Sequence, residues 1–112
     1  MTTSLLDCIV LDTSPNPTAA VIWLHGLGAD GNDFAPVVNE LDLTGCPGIR
    51  FVFPHAPTMP VTVNNGYVMR AWYDILGTDL VRREDEAGLR KSQAAVEQLI
   101  AQQTAAGIPA SR

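Results

Sequence analysis

Cysteine, histidine and basic residues are scarce in this chain, and each shortage removes a class of function. The two cysteines, Cys8 and Cys46, are widely spaced and form no C-x-x-C pair. They suit reduced thiols better than a disulfide framework. The two histidines, His25 and His55, come with no thiolate or bound-acid motif, so a metal site has little support. Seven lysines and arginines face twelve aspartates and glutamates, a net charge of −5. That balance argues against nucleic acid or an anionic membrane as partner. The bases form no tract; Arg82-Arg83 and Arg90-Lys91 read as solvated loop and helix charges. No apolar run approaches the roughly 20 residues of a membrane span. The start, Met1-Thr2-Thr3-Ser4, has no basic-then-apolar leader pattern. Repeats, low-complexity tracts and interdomain linkers are lacking as well. The expectation is one small cytoplasmic domain over residues 1–112.

What the chain does have is an abrupt passage from apolar residues to glycine at 21–34, VIWLHGLGADGNDF. Val21-Ile22-Trp23-Leu24 reads as a strand buried on both faces, as in a parallel sheet. Three glycines within six residues then turn the chain. A helix is expected to follow, with Asn32 or Asp33 as its cap and Pro36 in its first turn. This order leaves backbone N–H groups at the carboxyl end of a strand, where α/β sheets hold ligands. Gly26-Leu27-Gly28-Ala29-Asp30-Gly31 formally matches the dinucleotide fingerprint G-x-G-x-x-G. That reading needs a carboxylate about 20 residues on, ending the next strand. Residues 49–53 run instead into Pro54-His55-Ala56-Pro57 and offer none. Two readings remain: a plain tight turn, or an oxyanion loop. In the second, the Leu27 N–H faces a cleft and stabilises the negative oxygen of a tetrahedral intermediate.

Along the chain, residues 5–11 are expected to form a first strand, closed by the turn-rich 12–17. Residues 19–24 are the expected central strand. Phe34, Val37, Val38 and Leu41 recur at helical spacing, giving a short helix over 33–41. A buried strand is expected at 49–53. Pro54, Pro57 and Pro60 keep the following segment open, Asn64-Asn65-Gly66 marks a turn, and 61–63 and 67–73 are candidate extended pieces. The irregular 54–83 region also gathers Trp72, Tyr73, Ile75 and Leu76, a density of large apolar groups that suits a cleft lining. Tyr73 is expected in the core beneath it. A long helix is expected over 84–106, opened by Glu84, Asp85 and Glu86. Its apolar face would be Leu89, Val96, Leu99, Ile100 and Ala106, with Gly107 and Pro109 at its end.

Five stretches together resemble the small carboxylesterases and acyl-protein thioesterases of the α/β-hydrolase fold. They are VIWLHGLGADGNDF (21–34), RFVFPHAP (50–57), PVTVNNG (60–66), MRAWYDI (69–75) and EDEAG (84–88), in the family's order and spacing. The resemblance implies an α/β fold, the N-terminal portion of an α/β-hydrolase sheet. It implies hydrolysis of carboxylic esters or acyl thioesters through a serine, a histidine and an aspartate, with no metal or organic cofactor. It also implies that Leu27 supplies one of two oxyanion N–H groups, and that Trp72, Ile75 and Leu76 line the groove for the acyl chain.

One departure is decisive. In the family, the segment resembling AGIPASR (106–112) leads into a strand and the G-x-S-x-G nucleophile elbow, with acid and base following in chain order. No G-x-S-x-G occurs in these 112 residues. Ser4, Ser14, Ser92 and Ser111 lack elbow context, and His25 and His55 read as structural hydrogen-bonding groups. Asp30, Asn32 and Asp33 cluster without the D-x-D-x-D-G spacing of a calcium loop. The expectation is therefore a partial hydrolase domain, truncated before the nucleophile strand and inactive alone. It would act on a small-molecule acyl ester or thioester only in the complete enzyme, and would self-associate through an exposed sheet edge. The alternative is a non-catalytic acyl- or partner-binding module derived from the same fold.

Overall fold

The computed structural model describes residues 5–77 and 85–112. Strands β1 (Cys8–Asp12), β2 (Ala19–Ile22) and β3 (Ile49–Pro54) form one sheet in the order β1-β3-β2. β3 runs antiparallel to β1 and parallel to β2, so that Val52 lies between Val10 and Ile22. Having a strand on each side, β3 holds the core: Phe51, Val52 and Phe53 are 3%, 1% and 1% exposed. Phe51 and Phe53 stack at 6.2 Å, Phe53 meets Trp23 at 6.1 Å, and Trp23 stacks on Phe34 at 5.3 Å. This aromatic column seats the segment after the glycine turn against the sheet.

Strand 19–24, expected to be central in a complete sheet and to have an open edge without the nucleophile strand, stands at the flank of this one. Its ladder ends at Ile22, and Val21 and Leu24 are 37% and 41% exposed. An apolar run records that a strand is suited to burial, whereas burial itself needs neighbours on both sides. Among the described residues β2 has a partner strand only in β3. The amides of Ala19 and Trp23 donate to Gly48 and Val52 of the β3 side, so alternation turns the Ala20 and Ile22 amides outward. There the Ala20 N–H meets the carbonyl oxygen of Arg112 at 3.2 Å.

β4 (Thr58–Val61) and β5 (Tyr67–Arg70) make a separate antiparallel pair. The expected extended piece at 61–63 is mostly turn: a 3-10 helix spans Thr62–Asn64, and Asn65 and Gly66 carry φ of 57° and 77°. The expected helix over 33–41 is a shorter 3-10 helix, Ala35–Glu40, whose cap position is Phe34 with no side-chain bond. Neither Asn32 nor Asp33 caps it. Asp30 closes the turn earlier instead, its Oδ1 accepting the Asn32 N–H at 2.8 Å.

Helix α1 (Glu86–Ala105) starts where Asp85 Oδ1 accepts the Gly88 N–H at 3.0 Å; Glu84 lies outside the described residues. It ends in a paired closure. Gly107, at φ 103°, donates to Thr104 at 3.1 Å and Ile108 donates to Gln103 at 3.0 Å. Of the expected apolar face only Leu99 is fully buried; Leu89 and Ile100 are 38% and 42% exposed, and Ala106 is exposed. The helix packs along the β2 flank, so a narrow stripe is covered. Gln103 completes that stripe and accepts from Arg50 Nη1 at 3.3 Å, while Arg50 grips Asp12 at 2.9 and 3.2 Å. One arginine thus links β1, β3 and α1.

Candidate functional site

The glycine turn leaves the carboxyl end of β2 and is held from three sides. Gly28 takes φ 76°, a left-handed backbone that glycine adopts without steric cost. Its N–H donates to the Arg70 carbonyl at 2.9 Å, and the Ala29 N–H donates to the Gly26 carbonyl at 3.2 Å. Just before these two bonded amides stands Leu27, whose N–H has no protein acceptor among the described residues and which is 47% exposed.

Both histidines spend their rings on this turn. His25, only 4% exposed, has Nε2 accepting the Ala56 N–H at 3.0 Å and Nδ1 at 2.7 Å from the Gly26 carbonyl. His55 Nδ1 accepts the Gly31 N–H at 2.9 Å. Gly31 is packed so closely that a β-carbon there would lie 2.5 Å from the Phe53 carbonyl oxygen. Both histidines therefore make structural hydrogen bonds, and no serine hydroxyl is bonded to either ring among the described residues. Ser92 Oγ donates to the Trp72 carbonyl instead.

Trp72 joins the same cluster. Its Nε1–H donates to the His25 carbonyl at 2.9 Å, and its ring lies 5.2 Å from the His25 imidazole. The segment after it is fastened on both sides. Asp85 Oδ2 accepts the Asp74 N–H at 2.8 Å, and Ile75 accepts from the Val63 N–H at 2.9 Å. The Thr62 hydroxyl and amide, at 2.5 and 2.8 Å, hold the Asp74 carboxyl below the usual carboxylate pKa range. Ile75 and Leu76 are half-buried. Tyr73, expected in the core, is 38% exposed, because the carbonyl and amide bonds on either side of it turn the segment outward.

Leu27 and Trp72 are thus tied together through His25, two residues before Leu27. Ile75 and Leu76 follow on a chain that Val63 and Asp85 anchor. A cavity of about 240 Å³ lies elsewhere, along the outer edge of β2, with Ala20, Ile22, Ile100, Ile108 and Arg112 in its lining. Residue spacing did not point to Arg70, which serves the site twice. Its carbonyl takes the Gly28 N–H, and its Nη1 donates to the Ala56 carbonyl at 2.7 Å. No local pattern announces a side chain that reaches back fourteen residues.

A parallel strand pair, a glycine turn at the carboxyl end of one member and a helix along its flank are the N-terminal part of an α/β-hydrolase. The chain belongs to the phospholipase/carboxylesterase family, whose model matches residues 7–112. It is 41% identical over 110 residues to acyl-protein thioesterase 1 of Schizosaccharomyces pombe, covering 98% of this chain and 48% of that protein. With acyl-protein thioesterase 1 of Neurospora crassa it shares 42% over 106 residues, covering 85% and 41%. The crystal structure of Zea mays acyl-protein thioesterase 2 superposes with a TM-score of 0.76 at 28% identity, covering 93% of this chain and 42% of that one. Arabidopsis thaliana SOBER1 superposes at 0.71 with 32% identity, covering 84% and 45%. The chain therefore spans about half the length of the relatives it matches. Among the described residues, no helix is long and apolar enough to cross a membrane.

Proposed function

We propose that these residues are the front part of a serine hydrolase for acyl esters or acyl thioesters, in which the Leu27 N–H is one oxyanion donor. Trp72, Ile75 and Leu76 line its acyl groove. The observation that carries this reading is the Leu27 amide: it has no acceptor among the described residues, immediately before the bonded amides of Gly28 and Ala29, on a turn bonded from 54–57 and 70–72. Family membership and the acyl-protein thioesterase relatives support it. The chain alone carries no nucleophile elbow, and no turnover is expected of it. Two free thiols and an acidic surface suit the cytoplasm.

The groove is tested in a full-length enzyme, residues 1–112 joined to the remaining part of the S. pombe relative. Trp72→Ala should cost long-chain substrates roughly 1–3 kcal/mol of lost apolar contact and spare acetate esters. Trp72→Phe keeps most of the apolar face but loses the bond to the His25 carbonyl. It separates groove from turn. Equal losses in kcat/KM at both chain lengths would show that Trp72 is packing rather than groove.

The partner of the isolated chain is a second copy, paired through the outer edge of β2. The Ile22 amide points outward there, beside an apolar cavity, and Val21 and Leu24 are exposed. No lysine or proline lies within Ala19–Ile22 to discourage pairing. Light scattering after size exclusion should give a mass above the 12.0 kDa monomer that rises with concentration. Val21→Lys should lower it. A monodisperse monomer at all concentrations contradicts this and favours a stand-alone binding module.

A further inference from the structure

The bonds around Leu27 reach beyond the donor itself, to the peptide plane that carries it. The Leu27 N–H and the Gly26 carbonyl belong to one planar, trans peptide unit and point in opposite directions. Whatever holds the Gly26 oxygen therefore aims the Leu27 hydrogen. The Ala29 N–H reaches that oxygen at 3.2 Å, and His25 Nδ1 lies closer, at 2.7 Å. A ring nitrogen bonds a carbonyl only when it bears the proton, and the other His25 nitrogen, Nε2, is occupied as an acceptor by the Ala56 N–H at 3.0 Å. With Nε2 accepting, these two bonds call for the proton on Nδ1.

We propose that His25 is a positioning residue, locked as the Nδ1–H tautomer by the Ala56 amide, that aims and polarises the Leu27 N–H through the Gly26 carbonyl. The inference rests on the reading of Leu27 as an oxyanion donor. A continuous series of hydrogen bonds results: Ala56 N–H to Nε2, Nδ1–H to the Gly26 oxygen, and the Leu27 N–H outward from the same peptide. Bonds in series strengthen one another, so the outer amide becomes a better donor than an isolated one. The ring is held for this task. It is 4% exposed, the Trp72 ring lies 5.2 Å away, and the Trp72 Nε1–H bonds the His25 carbonyl at 2.9 Å. Arg70 Nη1 fixes the Ala56 carbonyl at 2.7 Å, which steadies the amide that sets the tautomer. His55 differs: it accepts from Gly31 and has no bond to the Gly26–Leu27 peptide, so it braces the turn without aiming the donor.

The test is 15N and 13C magic-angle-spinning NMR of the full chain, which reads monomer and assembly alike. His25 should show a protonated Nδ1 and a bare Nε2, while His55 shows the reverse. An Nε2-protonated His25, or a mixture of tautomers such as a loosely packed ring gives, overturns the proposal without any variant. His25→Asn places an amide N–H where Nδ1–H was, and His25→Gln places an acceptor where Nε2 was. Gly26 13C′ and Leu27 15N should stay near their original positions in His25→Asn and move upfield in His25→Gln. Equal movement in both means that His25 only fills space. None of these signals reads turnover. The tautomer can fail while the hydrolase reading stands, and loss of the hydrolase reading leaves the tautomer result intact.

Discussion

Leu27→Pro should lower turnover of the full-length enzyme by about 100-fold or more, the scale on which a single oxyanion donor acts. Leu27→Ala should cost far less. Leu27 is 47% exposed, so little packing depends on its side chain. Its N–H has no acceptor among the described residues, so its removal costs the ground state no protein hydrogen bond. The loss therefore falls on the tetrahedral intermediate, and kcat should drop while KM changes little. Proline also restricts Gly26, the residue before it, to extended backbone. Replacing leucine 27 by its α-hydroxy acid removes the N–H without that restriction and should give the same loss. A folded Leu27→Pro enzyme with normal turnover removes Leu27 from the site.

Gly31→Ala should destabilise the chain by at least the roughly 1–3 kcal/mol typical of overpacking. The new methyl would lie 2.5 Å from the Phe53 carbonyl oxygen and 3.1 to 3.2 Å from the His55 ring. Phe53 is 1% exposed and belongs to the central strand, so the backbone there has little room to retreat. Moving the turn instead would break the 2.9 Å bond from Gly31 to His55. Gly26→Ala is the internal control, because nothing lies within 4 Å of a β-carbon at position 26. Denaturant unfolding at one protein concentration should give a much lower midpoint for Gly31→Ala than for Gly26→Ala. Matching midpoints would show that the contact of the turn with β3 yields freely.

Strand β3 and the ends of α1 were legible in the sequence because their signals are local. Residues 49–53 are apolar except for Arg50, follow Gly48, and are the strand observed, which runs one residue further to Pro54. Asp85 and Gly107 stand at the helix ends where capping chemistry places them. The open edge of β2 was legible from the family resemblance, which sets the missing nucleophile strand beside it, whereas the apolar run 19–24 by itself looks like a strand buried on both sides. The glycine turn was legible from its spacing. What fastens the turn was not, since the Gly31–His55 and Ala56–His25 bonds join residues 24 and 31 positions apart. The burial of Gln103 followed from Arg50 on β3, again a distant partner.

That these residues bring an oxyanion donor and no nucleophile is tested most directly on the chain alone. The chain is offered short p-nitrophenyl esters and a serine-directed fluorophosphonate. Ser92 is bonded to the Trp72 carbonyl, and both imidazoles are engaged by backbone amides, so no hydroxyl has a base to activate it among the described residues. The expected result is no fluorophosphonate label, and ester hydrolysis no faster than that of an unrelated protein with two histidines. A labelled serine in this chain, with a rate above that control abolished by the label, would contradict it.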